Sequence, residues 1–215
     1  MDTGQAVYIM TCCEYFRTGM ESLIYVSGVN LVFVKDMGEV MISDNEPLVV
    51  LLVLDMSSDS ALRNFKSAVD YLNQINVPKK IGVLVSRYNS YLTYYINRKF
   101  HGKVTFFNSH NLRTGLFQRN FTSWLSGKRF RSMHVVTRFR DDRYGFSLKE
   151  WVSLVIPLSG ETMLQISECM GINNNSMYQV RQNALKKIGI SSYRQFCELY
   201  IGGKIRIEND RIVKR

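Results

Sequence analysis

The seven residues "LVVLLVL", Leu48 to Leu54, constrain the fold more than any other stretch. A run with no polar position cannot present one wet face, so as a strand it must be covered on both sides. With its flanks, Pro47 to Met56, it is about half as long as a bilayer crossing requires. Four more short runs read as strands: "AVYIM" (6–10), "VNLVFV" (29–34), "KIGVLVS" (80–86) and "GKVTFF" (102–107). Amphipathic stretches at 14–28, 61–76, 91–100 and 112–127 read as helices. Strands alternating with helices predict a parallel sheet covered on both faces.

The expected fold of residues 1–127 is therefore α/β, a flavodoxin-like sandwich. A chain of 215 residues, 46% of them apolar, can fill such a core without staples. Its four cysteines, Cys12, Cys13, Cys169 and Cys197, include an adjacent pair that cannot easily bridge to itself and no Cys-x-x-Cys spacing. That usage suits a reducing cytosol, and the amino terminus lacks the pattern of a secretory leader. A soluble, cytoplasmic protein with no membrane partner is the expectation. Cys12 and Cys13, beside a hydrophobic strand, are expected to be half-buried and inert.

The net charge of +10 is unevenly spread. Residues 1–127 carry 12 basic and 10 acidic side chains, 128–143 carry 6 and 2, and 146–215 carry 10 and 6. The excess lies late in the chain, where it favours polyanions. The stretch "KRFRSMHVVTRFRDDR" (128–143) loses its period and reads as a basic linker, assigned to 128–144, whose arginines could also touch phosphates.

From Gly145 the chain is expected to be helical throughout, forming a second domain over 145–215. Ser147 and Glu150 have capping-box spacing, and Pro157 ends or bends the first helix. A second short helix (160–171), with Met163, Ile166 and Met170 on one stripe, leads through Gly171-Ile172-Asn173 into "NNSMYQVRQNALKKIG", and "SSYRQFCELYIGG" closes the set. Four short helices with a three-residue turn between the second and third form a helix-turn-helix arrangement.

On a helical wheel Met177, Val180, Ala184 and Ile188 fall within one arc and are expected to face the core. Asn175, Gln179, Gln182 and Lys186 fall opposite, with Tyr178 and Arg181 on a flank. From Asn173 to Ile190 there is no Asp or Glu, although an ordinary exposed helix mixes both charges. Amides and cations are the groups that read base edges in a major groove, and the helix amino end near Asn174 to Ser176 suits a phosphate. The candidate DNA-binding residues are Asn174, Asn175, Ser176, Tyr178, Gln179, Arg181, Gln182, Lys186 and Lys187.

These residues carry a resemblance. Ser147 and Glu150, Gly160, Ile166 and Ser167, Ser176 and Met177, and Lys187 to Ile190 resemble the pattern of the LuxR/NarL-type DNA-binding domain over about 55 residues. The resemblance implies a four-helix domain that places its third helix on double-stranded DNA. Pro157 and the Tyr178-Gln179 pair depart from the pattern, so no base preference carries over.

The segment "MTCCEYFRTGM" looks like that of RcsA-like auxiliary regulators, and the layout of 1–127 is similar to a response-regulator receiver. A working receiver needs clustered carboxylates for Mg²⁺, an acceptor aspartate, a hydroxyl and a lysine. Asp55 and Ser86 are roughly placed for two of these roles. The first strand, however, ends in Thr11, Cys12, Cys13 and Glu14, and the fifth ends "FFNSH" without lysine. Phosphotransfer is expected to be lost, leaving a degenerate receiver-like domain that pairs with a partner or a copy of itself. The tyrosine-rich stretch 87–100 serves packing or such a surface.

The scattered His101, His110 and His134 share no metal-ligand spacing, and no phosphate loop or nucleophile elbow occurs. No cofactor and no enzymatic activity are expected. The leading reading is a bacterial-type transcription regulator, acting as a homodimer or as a heterodimer with another LuxR-type regulator. An adaptor that does not read DNA, and a response regulator phosphorylated on Asp55, are the alternatives.

Overall fold

The structure, a computed structural model, describes residues 4–24, 28–42, 46–54, 59–85, 89–133, 135, 145–208 and 210–215. Asp55, Ser86, His134 and most of the expected linker lie outside the described residues. The chain divides into two compact units: 1–54, 67–88 and 103–134 form the first, and 55–66, 89–102 and 135–215 the second. This differs from a single cut near residue 127, because two internal segments group with the C-terminal residues.

The first unit is built on β1 (Gln5–Met10), β2 (Val29–Val34), β3 (Leu48–Leu54), β4 (Lys79–Val85) and β5 (Val104–Asn108). They form one parallel sheet in the order β2-β1-β3-β4-β5. The all-apolar run is β3, at the centre of the sheet, with six of its seven residues buried. Helices α1 (Glu14–Leu23) and α4 (Leu116–Leu125) cover one face, where Val7, Ile9, Leu51, Leu84 and Phe107 meet Met20, Ile24, Phe121 and Trp124.

Phe107 organises that face. Its ring lies edge-on to Phe117 at 5.5 Å and to Trp124 at 5.5 Å, a geometry aromatic quadrupoles favour. Gly82 makes room for it: a Cβ there would sit 3.0 Å from Phe107 and 3.2 Å from Trp124. At the start of β4, the Lys79 ammonium donates to Ile75 O at 2.8 Å and to Leu72 O, at the end of α2 (Asp59–Gln74). The Lys80 ammonium donates to Leu125 O at 3.2 Å and to Trp124 O, at the end of α4. Each lysine thus satisfies terminal helix carbonyls, and burial lowers the pKa of both.

The second unit holds α3 (Ser90–Lys99), α5 (Leu148–Val155), α6 (Met163–Met170), α7 (Asn174–Lys187) and α8 (Tyr193–Ile201). Pro157 falls in a single 3-10 turn, Ile156–Ser159, that stops α5. The chain is not helical to its end: β6 (Ile205–Glu208) and β7 (Arg211–Lys214) form an antiparallel hairpin. Ile205 and Ile207 point inward from β6 while Arg206 and Glu208 face solvent, the alternation of a half-buried strand.

Tyr91 and Tyr95 of α3 are packing residues. Tyr91 stacks on Trp151 at 5.4 Å and donates to Phe146 O at 2.7 Å. Tyr95 donates to Glu161, whose carboxylate also takes the Lys99 ammonium at 3.1 Å. Arg98 donates to Cys169 O at 2.8 Å. Among the described residues no helix is long and apolar enough to cross a membrane.

Candidate nucleic-acid interface

Each end of α7 has an identifiable stop. Thr162 and Gln165 form a capping box that starts α6, and Gly171 ends α6 with a left-handed backbone at φ 65°. A residue with a Cβ is disfavoured there, so glycine permits the sharp turn. Ile172 and Asn173 complete a three-residue connection, and the Asn173 side chain accepts from Asn175 N at 2.9 Å to cap α7. At the far end Gly189, φ 68°, closes the helix while Ile190 N donates to Leu185 O at 3.0 Å.

The inward face of α7 consists of Met177, Arg181, Ala184 and Leu185. This corrects the expected arc: Val180 and Ile188 are only half-buried, and the buried stripe is rotated toward Leu185. Arg181 falls inside that stripe and is 9% exposed, so it does not lie on the outward flank. Its guanidinium sits 4.3 Å from the Tyr193 ring centre and 5.0 Å from that of Tyr178. A weakly hydrated planar cation between two aromatic rings is a stable way to bury that charge. Tyr193 donates to Leu154 O at 3.1 Å. Its hydroxyl pKa is raised, first by burial and then by neighbouring Cys197, against the opposing effect of Arg181.

Lys187 is also committed within the unit. Its ammonium donates to Glu150 at 2.8 Å and to Gly145 O at 2.9 Å. Glu150 is itself the buried half of the Ser147 capping box, so one carboxylate starts α5 and anchors the end of α7. Asn174 is half-buried, with its Oδ1 inside. The residues left on the outward face are Asn175, Ser176, Tyr178, Gln179, Gln182, Asn183 and Lys186, all exposed. Asn183 was absent from the candidates chosen on sequence. So was Tyr193, whose only signal was an aromatic ring in the next helix.

The other sequence-derived site, at the end of β1, is poor in carboxylates. Thr11, Cys13, Glu14, Arg17, Lys35 and Glu39 line a small cavity there. Glu14 faces Lys35 at 3.8 Å. Asp36 is occupied by Gly38 N at 2.7 Å and Ser67 Oγ at 3.1 Å. Among the described residues no group of three His, Cys, Asp or Glu side chains could hold a metal. Cys12 and Cys13 are exposed, contrary to the half-buried placement expected from the apolar strand before them.

No family model matches this chain, and no curated protein matches it. Solved structures of similar chain length do. A Salmonella typhimurium RcsB response regulator is 14% identical, covers 94% of this chain and 98% of its own, and has a TM-score of 0.44. A two-component response regulator RcsB–DNA complex is 16% identical, covering 91% and 96%, with a TM-score of 0.43. The response regulator ChrA of a heme-sensing two-component system is 12% identical, covering 94% and 98%, with a TM-score of 0.39. Likenesses this weak carry nothing about chemistry, so the site is read from its own residues.

Proposed function

We propose that this chain is a sequence-specific DNA-binding transcription regulator, with α5 to α8 serving as a LuxR-type helix-turn-helix domain and α7 as its reading helix. The observation that carries this reading is the outward face of α7, which exposes amides, a phenol and a lysine and has no carboxylate from Asn173 to Ile190. In this reading Asn175, Gln179 and Gln182 meet base edges, while Ser176 and Lys186 meet phosphates. Arg181 acts indirectly by holding Tyr178, and Lys187 keeps the helix end in place.

One helix of this length reads only a few base pairs, so the regulator works as a homodimer or as a heterodimer with another LuxR-type chain. The first unit regulates without phosphotransfer. That part of the reading is supported by the sparse carboxylates beside Glu14 and by the absence of lysine in "FFNSH". The protein has no catalytic role and acts in the cytoplasm.

The test is selection from a random-sequence duplex library by the full-length protein. Enrichment of one motif, lost when Gln179 and Gln182 are both changed to alanine, is the expected result. Equal enrichment by the double variant would remove the reading in favour of an adaptor that does not read DNA.

A further inference from the structure

The first unit contains a cavity of about 770 Å³, within the size range of small-molecule sites. Every residue lining it is described and belongs to that unit. One wall is aromatic: the Phe130 ring stacks parallel to Phe107 at 5.7 Å, with an interplanar angle of 4°, beside Phe117. Backbone pairing fixes the neighbouring chain, because Met133 N donates to Phe106 O at 3.2 Å on the edge strand β5. Arg119, Arg129 and Arg131 are exposed lining residues, and no Asp or Glu lines the cavity.

Asn120 is the informative residue. It lines the cavity and is 7% exposed, and among the described residues its amide has no hydrogen-bond partner. That amide is not among the side-chain atoms sealed from solvent without a partner, so it opens onto the cavity, where a polar group of a ligand can pair with it. An aromatic wall, an unpaired amide and a cationic rim with no acid make three complementary demands on one ligand.

We infer that this cavity binds a small flat aromatic anion carrying a second hydrogen-bonding group, its ring against Phe107 and Phe130, its polar group at Asn120 and its anionic group at the arginines. This inference does not depend on the DNA reading. A cleft of this size, with an aromatic wall, suits a small molecule better than a duplex backbone.

The test is calorimetry on the full chain with hydroxynaphthoate, naphthoate and naphthol as probes. Hydroxynaphthoate is expected to bind one-to-one, about tenfold tighter than either probe lacking one polar group, since one hydrogen bond or ion pair is worth roughly that factor. Asn120→Leu erases the preference for the hydroxyl and leaves the Tm equal or higher. The exposed pair Arg129→Ala and Arg131→Ala erases the preference for the carboxylate. No saturable binding by any probe would overturn the inference. So would binding indifferent to both variants, a Tm lowered by Asn120→Leu, or an arginine pair that affects only duplex DNA binding.

Discussion

The two units solve burial differently. The core face of the first is apolar, built on Phe107, Trp124 and the β3 run. The second is threaded with buried polar groups: of the eleven buried polar or charged residues among the described ones, nine belong to it, including Glu150, Glu161 and Arg181. An apolar core gains stability from burial without directional demands. A satisfied polar core fixes orientation, at the cost that each missing partner leaves another group unpaired. The unit that carries the proposed reading helix is the one whose geometry is fixed by specific pairs.

The sharpest break in this comparison is Phe107→Ala. It removes the ring that Phe117, Phe121, Trp124 and Phe130 pack against, and should cost about 4 kcal/mol. The chain has one tryptophan in each unit, Trp124 and Trp151. Urea unfolding in a Trp151→Phe background therefore reports the first unit alone.

Next is Glu161→Ala, which strands Lys99 and takes the acceptor from Tyr95. Breaking a buried pair from one side should cost about 3 kcal/mol. Glu161→Gln, which keeps an acceptor for Tyr95, should cost about 1 kcal/mol. A Trp124→Phe background isolates this unit. Equal losses for both variants would mean that the carboxylate charge beside Lys99, and not the hydrogen bond from Tyr95, carries the stability.

Alkaline pH should separate the units further. Burial raises Tyr95 and Tyr193 above their ordinary 10.0, and Cys169 and Cys197 above their ordinary 9.0. These groups keep their protons in the folded state after the unfolded chain has lost them. Their contribution is complete below the ordinary values and falls as pH rises through 9 and then 10. In the first unit Tyr71 shifts the same way, while the lowered Lys79 and Lys80 act oppositely and favour folding as pH rises toward 10.5. The urea midpoint of the second unit should therefore drop more between about pH 8 and pH 10.5.

Arg181→Met should have the smallest effect on stability, below about 1 kcal/mol, because a long unbranched apolar residue replaces a buried cation with no carboxylate partner among the described residues. In the proposed DNA assay it should weaken binding less than loss of Gln179 and Gln182. A larger loss would make Arg181 a direct contact.

Legibility in the sequence follows the same division. The strands of the first unit could be read because burial there follows period and run length: β2 and β3 fall on the residues that their apolar runs indicate. The start of α5 was legible through Ser147 and Glu150. What escaped depends on pairs distant in sequence. The ion pair of Lys187 with Glu150 spans 37 residues, and the burial of Tyr95 depends on Glu161, 66 residues away. Arg181 was misplaced because Leu185, not Ile188, sets the centre of the buried stripe. The β6–β7 hairpin was missed because the chain was expected to be helical from Gly145 onward, and strands of four residues carry too little alternation to overturn that.

The central claim is that the outward face of α7 reads base edges. The most direct measurement is the affinity of the Gln179→Ala, Gln182→Ala double variant for a selected duplex, set against its affinity for a scrambled one. The account predicts that specific affinity falls at least about tenfold, while scrambled binding and the Tm of the second unit stay unchanged. Unchanged discrimination between the two duplexes would contradict it.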